Sequence, residues 1–227
     1  MSKYALVIGI DYDGELPGCL NDANDMETAL TKQGYTVEKI LGSQCTARRL
    51  MRSFAYMCYY SYLGRYRDLF IHYSGHGTRV RDRNGDEMDG YDEAMVSYDK
   101  YAISDDTFMR YLQWIPRWTN VKILMDCCHS GTSMDLQYRW HPDINRYFTN
   151  YRCRCAANIQ MISGCQDDQV AAEVTMKGGP RGVMTTMFLK HVDDTFQFTK
   201  SLVKSMTESI VTMKMNQRPL FSSSRKI

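Results

Sequence analysis

Leu69-Phe70-Ile71-His72-Tyr73-Ser74-Gly75-His76-Gly77 and Val121-Lys122-Ile123-Leu124-Met125-Asp126-Cys127-Cys128-His129-Ser130-Gly131 share one plan: a mainly apolar run, then small residues around a His or a Cys. Runs of this length and composition read as strands covered on both faces, here Leu69 to Ser74 and Val121 to Asp126. A strand that stops at small residues leaves its last side chains free at the sheet edge. A His from one strand and a Cys from another can then meet over a bound molecule.

The flanking sequence repeats the unit. Tyr4 to Ile10 is another continuous apolar run, and Asn21 to Gly34 places Ala23, Met26 and Leu30 at helical spacing, with Asn21 or Asp22 as N-cap and Gly34 as the stop. Tyr35 to Leu41 predicts a strand, Thr46 to Tyr62 an amphipathic helix, Arg79 to Ala94 a polar loop or hairpin, and Asp105 to Trp114 a helix capped by Ser104. Ile159 to Ser163 predicts a further strand, and Thr185 to Val192 and Leu202 to Met213 two more helices, whereas Gln137 to Ala157 lacks clean periodicity. Alternating strands and helices imply an α/β domain with a mainly parallel sheet, helices on both faces, and ligands at the carboxyl ends of the strands.

Composition narrows the function classes. At 227 residues with no Pro-, Gly- or Ser-rich divider the chain reads as one domain, and its net charge of +2 comes from interspersed signs. That balance leaves no electrostatic footprint for nucleic acid or an anionic membrane, and the basic residues between Arg139 and Arg154 read as a solvated loop. The N-terminus turns polar too soon for a signal peptide, and no apolar window of about 18 residues exists, so the expectation is a soluble, cytoplasmic protein. The eight cysteines then read as reduced thiols, and Cys153 and Cys155 lack a second pair for a zinc site.

Strand parity sorts the chemical residues. Side chains two apart share a face, so Ser74 goes with His76 and Asp126 with Cys128, provided the chain stays extended, while Cys127 faces the packing layer. A thiol with a reference pKa near 8.5 needs a base or a cation to become a good nucleophile, and His76 is placed to serve. His72 lies about 13 Å back along the strand and reads as a core residue. His129 points away from its neighbour, and His141 and His191 carry no motif. The implied chemistry is acyl transfer: Cys128 attacks a carbonyl, His76 manages the proton, and water hydrolyses the thioester. No third carboxylate is evident beside the pair. A thiol phosphatase is excluded because no Arg follows the Cys at phosphate-loop spacing. Asp82, Asn84, Asp86 and Glu93 match part of an EF-hand count, but Glu87 stands where the loop demands Gly.

Ser-Gly-His-Gly and Asp-Cys-Cys-His-Ser-Gly resemble the His and Cys boxes of the metacaspases, caspase-related cysteine peptidases that cleave after Arg or Lys. Gly18-Cys19-Leu20-Asn21-Asp22-Ala23, Asp89-Gly90-Tyr91-Asp92-Glu93-Ala94, and Gln217-Arg218-Pro219 with Ser222-Ser223 extend the resemblance over nearly the whole chain. It implies a caspase-like three-layer sandwich. Residues 1–136 would correspond to the large-subunit portion, 137–157 to a connecting segment and 158–227 to the small-subunit portion.

The same resemblance implies a dyad of His76 and Cys128, with the backbone N–H groups of Gly77 and Cys128 as oxyanion hole. Cys19, Asp22, Ser74 and Asp126 would line the P1 pocket, where two carboxylates favour a basic side chain; taken alone, Asp22 is equally an N-cap. It further implies a Ca²⁺ site from Asp92, Asp105, Asp106 and Asp135, self-cleavage after Arg139, Arg146, Arg152 or Arg154, and a monomer acting on proteins or peptides. Without the metal, the acidic residues read as a solvated loop with Asp105 at a helix start.

The chain departs from the family pattern at Cys127, where Ser or Ala is usual, and in Val96-Ser97-Tyr98-Asp99, which lacks the common Pro. It also reads as a bare catalytic core, without an N-terminal extension or a long insertion. A weakly active caspase-like scaffold that binds partners, or a legumain- or separase-type relative without calcium dependence, are the competing readings.

Overall fold

Tyr4 to Ile8 and Leu69 to Ser74 are buried on both faces because helices cover each side of the sheet they form. The computed structural model describes residues 2–82, 85, 90–127, 136–142, 144–149, 155–164, 173–176, 178–215 and 217–226. In chain order the elements are β1 (Lys3–Gly9), α1 (Gly18–Lys32), β2 (Tyr35–Leu41), α2 (Ala47–Tyr62), β3 (Asp68–Ser74), β4 (Gly77–Arg81), β5 (Tyr91–Val96), β6 (Ala102–Ser104) and α3 (Asp105–Leu112). There follow β7 (Asn120–Asp126), β8 (Tyr138–His141), β9 (Arg146–Thr149), β10 (Asn158–Ser163), β11 (Glu173–Met176), β12 (Gly179–Gly182), α4 (Val183–His191), α5 (Lys200–Thr212) and β13 (Leu220–Ser223).

Among the described residues the central sheet has eight strands in the order β2-β1-β3-β7-β10-β13-β8-β9. Strands β2, β1, β3, β7 and β10 run parallel, and β13, β8 and β9 join antiparallel. One face, with Ile8, Ile71, Tyr73, Ile123 and Met125, packs on Phe54 and Met57 of α2 and Phe108 and Leu112 of α3. The other, with Val7, Phe70, Leu124 and Ile162, packs on Met26 of α1, Phe188 of α4 and Met206 of α5. The result is the three-layer α/β sandwich expected. Small antiparallel sheets β4-β5-β6 and β11-β12 stand apart from the central one. Parallel register brings Gly9, Ser74 and Asp126 into one line at the carboxyl ends of β1, β3 and β7.

Two expectations are corrected. Helix α1 starts at Gly18 after Pro17, so Asn21 and Asp22 lie inside its first turns and neither caps it. Pro17 holds a helical φ of −63° and replaces a side-chain cap, which frees Asp22 for a contact elsewhere. The stretch from Gln137 to Ala157 is not simply irregular: β8 and β9 lie within it and extend the central sheet beyond β13. Only Trp140 of the four residues of β8 is fully buried, so its alternation offers almost nothing to detect. The strands β4 and β5 on either side of the polar stretch pair antiparallel, where an EF-hand has two helices.

Candidate active site

Strand β3 ends at Ser74, and the chain turns at Gly75, whose N–H donates to the Asp126 carbonyl over 3.4 Å. A Cβ on Gly75 would stand 2.7 Å from Tyr73 Oη and 3.2 Å from Tyr12 Oη, so the close approach requires glycine. His76 follows. Its N–H donates to Tyr12 Oη at 3.1 Å, and its carbonyl accepts from Tyr73 Oη at 2.7 Å and from the Val96 N–H at 3.0 Å. Its ring lies against that of Tyr12, with centroids 4.6 Å apart, and its Nε2 is 2.9 Å from Glu15 Oε1. Burial pushes the Tyr12 phenol up to about 12, so it is neutral and can donate to the Val96 carbonyl. The turn at Gly75 breaks the extended run that parity needs: Ser74 is buried, whereas the His76 side chain is 32% exposed.

On the neighbouring strand, Asp126 and Cys127 keep the expected alternation. Asp126 meets α4, and Cys127 is buried in the cluster on the α2 and α3 face. Cys128 lies outside the described residues. Gly77, the other proposed oxyanion donor, opens β4 opposite Met95.

Behind the strand ends two carboxylates converge. Ser74 Oγ donates to Asp22 Oδ2 at 2.7 Å, the Gly182 N–H to Asp22 Oδ1 at 3.0 Å, and the Thr185 N–H to Asp126 Oδ2 at 2.8 Å. Asp22 is 1% and Asp126 3% exposed, so both carboxyl groups are held out of water at the amino end of α4, where free N–H groups and the helix dipole favour an anion. A Cβ on Gly182 would fall 2.2 Å from Asp126 Oδ2 and 2.7 Å from Asp22 Oδ2. Burial and the neighbouring Asp126 raise the Asp22 carboxyl to about 8, against the pull of Ser74 and Gly182. Cys19, three residues before Asp22 on α1, is buried, and its carbonyl would lie 2.5 Å from a Cβ on Gly9. Asp22, Ser74 and Asp126 therefore gather at one place, with the main chain of Cys19 beside the end of β1.

His72 is fully buried, with Nε2 at 3.0 Å from Thr185 Oγ1, and burial pushes it down to about 3, which keeps it neutral. A cavity of about 810 Å³ opens beside Asp22, lined also by Thr185, Met187 and the Asp25–Arg181 ion pair, whose Nε–Oδ2 distance is 2.5 Å.

The residues expected at the metal are only partly assembled. Ala94 faces Ser104 across the antiparallel strands β5 and β6, so Asp92, two residues before Ala94, and Asp106, two residues after Ser104, come to the same end of that sheet, beside Asp105 at the start of α3. Asp92 and Asp105 are nearly buried, and an all-carboxylate donor set suits a hard cation. Among the described residues, however, no three His, Cys, Asp or Glu side chains gather closely enough to hold a metal, and Asp135 lies outside them. Arg139 and Arg146 sit in strands, opposite Ser222 and His141, rather than in an irregular loop; Arg152 and Arg154 lie outside the described residues.

Tyr12, Glu15, Gly182 and Thr185 were missed by sequence reasoning. Glu15 and Tyr12 occupy an aperiodic loop, and Gly182 precedes an apolar helix as any N-cap glycine would. The Gly18 to Ala23 box offered the only signal in that neighbourhood.

A family model described as Caspase domain matches residues 2–226 of the chain. Metacaspase-1 of Arabidopsis thaliana is 31% identical over 92% of this chain and 64% of its own length, and Metacaspase-1 of Mycosarcoma maydis 26% identical over 99% and 71%. Metacaspase-7 of Arabidopsis thaliana is 36% identical over 60% of this chain, which spans only 36% of that relative. Among solved structures, protein GSU0716 from Geobacter sulfurreducens superposes with a TM-score of 0.73 at 22% identity, over 100% of this chain and 95% of that one. Caspase-1 from Spodoptera frugiperda gives 0.65 at 11% identity, over 98% and 88%, and shares the fold.

Proposed function

Because the chain belongs to the caspase domain family of cysteine-type endopeptidases, with a metacaspase-like core, we propose that it hydrolyses peptide bonds after Arg or Lys through His76 and Cys128. The observation that carries the specificity is the convergence of Asp22 and Asp126, both buried, at the line of strand ends. A buried carboxylate pair is costly unless a cation joins it, and an extended guanidinium or ammonium from the substrate supplies one. An acidic P1 side chain would meet like charge there instead.

In this mechanism the thiol of Cys128 gives its proton to His76 and the sulfur attacks the scissile carbonyl. The N–H groups of Gly77 and Cys128 receive the developing oxyanion, and the protonated His76 delivers its proton to the leaving amine. Water then hydrolyses the thioester with His76 as base. Asp22 and Asp126 act on binding, and their fixed donors on α4 spare them reorganisation when the substrate arrives.

Asp92, Asp105, Asp106 and Asp135 would hold a calcium ion, which would supply positive charge to tether the segment after Cys128. Self-cleavage would fall after Arg152 or Arg154 sooner than after the strand residues Arg139 and Arg146. A monomer is part of this proposal, supported by β8, which pairs with the outer side of β13 and so keeps β13 from being a sheet edge. No helix among the described residues is long and apolar enough to cross a membrane. A soluble cytoplasmic setting remains part of this proposal.

Fluorogenic peptides differing only in Arg, Lys or Asp at P1, assayed with calcium and with chelator, test the whole reading. Turnover of the Arg and Lys peptides, stimulated by calcium and absent in Cys128→Ala, is the expected result. Preference for Asp would overturn the pocket assignment, indifference to chelator the metal, and no turnover of any peptide would favour a binding scaffold.

A further inference from the structure

The backbone and ring of His76 are fixed on three sides, yet nothing in those contacts decides which ring nitrogen faces the reaction. Its N–H is bound to Tyr12, its carbonyl to Tyr73 and Val96, and one ring face lies on Tyr12. A half-turn of the imidazole about its Cβ–Cγ bond would put Cδ2 where Nδ1 stands and Cε1 where Nε2 stands without disturbing any of these contacts. The remaining contact does distinguish the two orientations: Glu15 Oε1 stands 2.9 Å from Nε2.

The loop that brings Glu15 there is braced. Tyr12, Asp13 and Gly14 all have positive φ, at 48°, 62° and 92°, a run that an unsupported chain would not hold. Tyr98 Oη lies at 2.9 and 3.1 Å from the Asp13 carboxylate oxygens, Lys100 Nζ is 4.5 Å from the Tyr12 ring centre, and the Leu16 N–H donates to the Asp11 carbonyl at 2.9 Å. Asp11 and Asp13 share the loop, and the carboxylate that reaches the imidazole is Glu15.

We propose that Glu15 is the positioning residue of His76, accepting from Nε2–H so that Nδ1 is presented to the thiol. When the Cys128 proton moves to Nδ1, the imidazolium formed carries its second N–H already bound to a carboxylate. The sequence reading found no third member beside the His-Cys pair; Glu15 takes that place from the loop after β1. An exposed ion pair of this kind contributes little to folding, so its effect belongs to the reacting state. The proposal rests on His76 and Cys128 being the reacting pair.

The test compares Glu15→Ala, Glu15→Gln and Glu15→Asp with wild type on an Arg-P1 peptide, with thermal melting as the folding control. Glu15→Ala should lower kcat roughly three- to thirtyfold while KM stays within about twofold, because the carboxylate touches the base and not the substrate. Glu15→Gln, which keeps an acceptor without the charge, should recover part of the loss, and iodoacetamide should alkylate Cys128 more slowly in Glu15→Ala than in wild type. A kcat unchanged in Glu15→Ala, a change confined to KM, or a rise in activity, meaning that Glu15 competes with the thiol for His76, would each overturn the assignment. His76→Ala and Cys128→Ala are run alongside. If either keeps wild-type turnover, the dyad itself is wrong; if both are inactive and the Glu15 variants match wild type, only the role of Glu15 falls.

Discussion

His76 and the Asp22–Asp126 pair stand at the ends of neighbouring strands yet are held in opposite ways. The imidazole lies beyond the end of β3, one-third exposed, clasped through its backbone and one ring face, with Nε2 on the exposed Glu15 carboxylate. The carboxylates are almost fully buried and grasped directly at their oxygens by Ser74, Gly182 and Thr185. A group that must pass protons needs access, whereas a group that must discriminate charge gains from dehydration, since opposite charges attract more strongly where water is scarce. Under the proposed function the sheet edge would divide the work: chemistry facing out and recognition sunk behind it.

The sharpest way to break this comparison is at the chemistry. Cys128→Ala and His76→Ala should each reduce turnover roughly a thousandfold or more, while Cys127→Ala, whose thiol packs in the opposite layer, should keep a substantial part of it. Equal loss in both cysteine variants, with circular dichroism unchanged, would reverse the assignment of faces. Next in size is recognition. Asp126→Ala should cut kcat/KM for an Arg-P1 peptide by tens to thousands, the equivalent of roughly 2 to 5 kcal/mol for a desolvated pair, and leave alkylation of Cys128 nearly unchanged. Parallel loss of alkylation would mean that the two regions are not separable.

Gly182→Ala probes the floor shared by both carboxylates. Its new methyl group must displace one of them, so we expect a loss of about 1 to 3 kcal/mol in urea unfolding together with weakened cleavage after Arg. Wild-type stability in that variant would show that the floor is not rigid.

The remaining expected effect is in pH. The Asp22 carboxyl, raised to about 8 in the folded protein, titrates near 4 in the unfolded chain. Between those values the folded state keeps a proton that the unfolded state releases. Its contribution is therefore fully present below about pH 4 and is lost as pH rises toward 8, at a limiting slope of about 1.4 kcal/mol per pH unit. Asp22→Asn, which cannot ionise, should gain stability relative to wild type as pH rises from 5 to 8 while cleaving Arg peptides poorly. Parallel stability profiles would show that Asp22 ionises as readily in the folded protein as in the unfolded chain.

How much of this could be read in advance varied with burial. Strands β1, β2, β3, β7 and β10 were legible to within a residue at their ends, and for β1, β3 and β7 the reason is that covering on both faces makes an apolar run hard to mistake. β8, β9 and β13 have four residues each, and their pairing depends on partners far away in the chain. Parity located Asp126 and Cys127 correctly because β7 stays extended, and failed at His76 because Gly75 turns the chain. The resemblance pointed to Asp22, Ser74 and Asp126, which the fold brings together at the strand ends, but Asp22 read by itself resembled a cap. Glu15 was out of reach: only folding of the loop after β1 brings it to the imidazole, and a loop has no period to betray it.

Two of the three donors that grip the carboxylates are main-chain amides, those of Gly182 and Thr185. An amide is common to every residue except proline, so the grip is written in the path of the chain more than in the identity of its side chains. Over evolutionary time the first turn of α4 is therefore free to exchange Val183 and Met184 for other packing residues while the anion trap persists, with Gly182 as the one position denied that freedom.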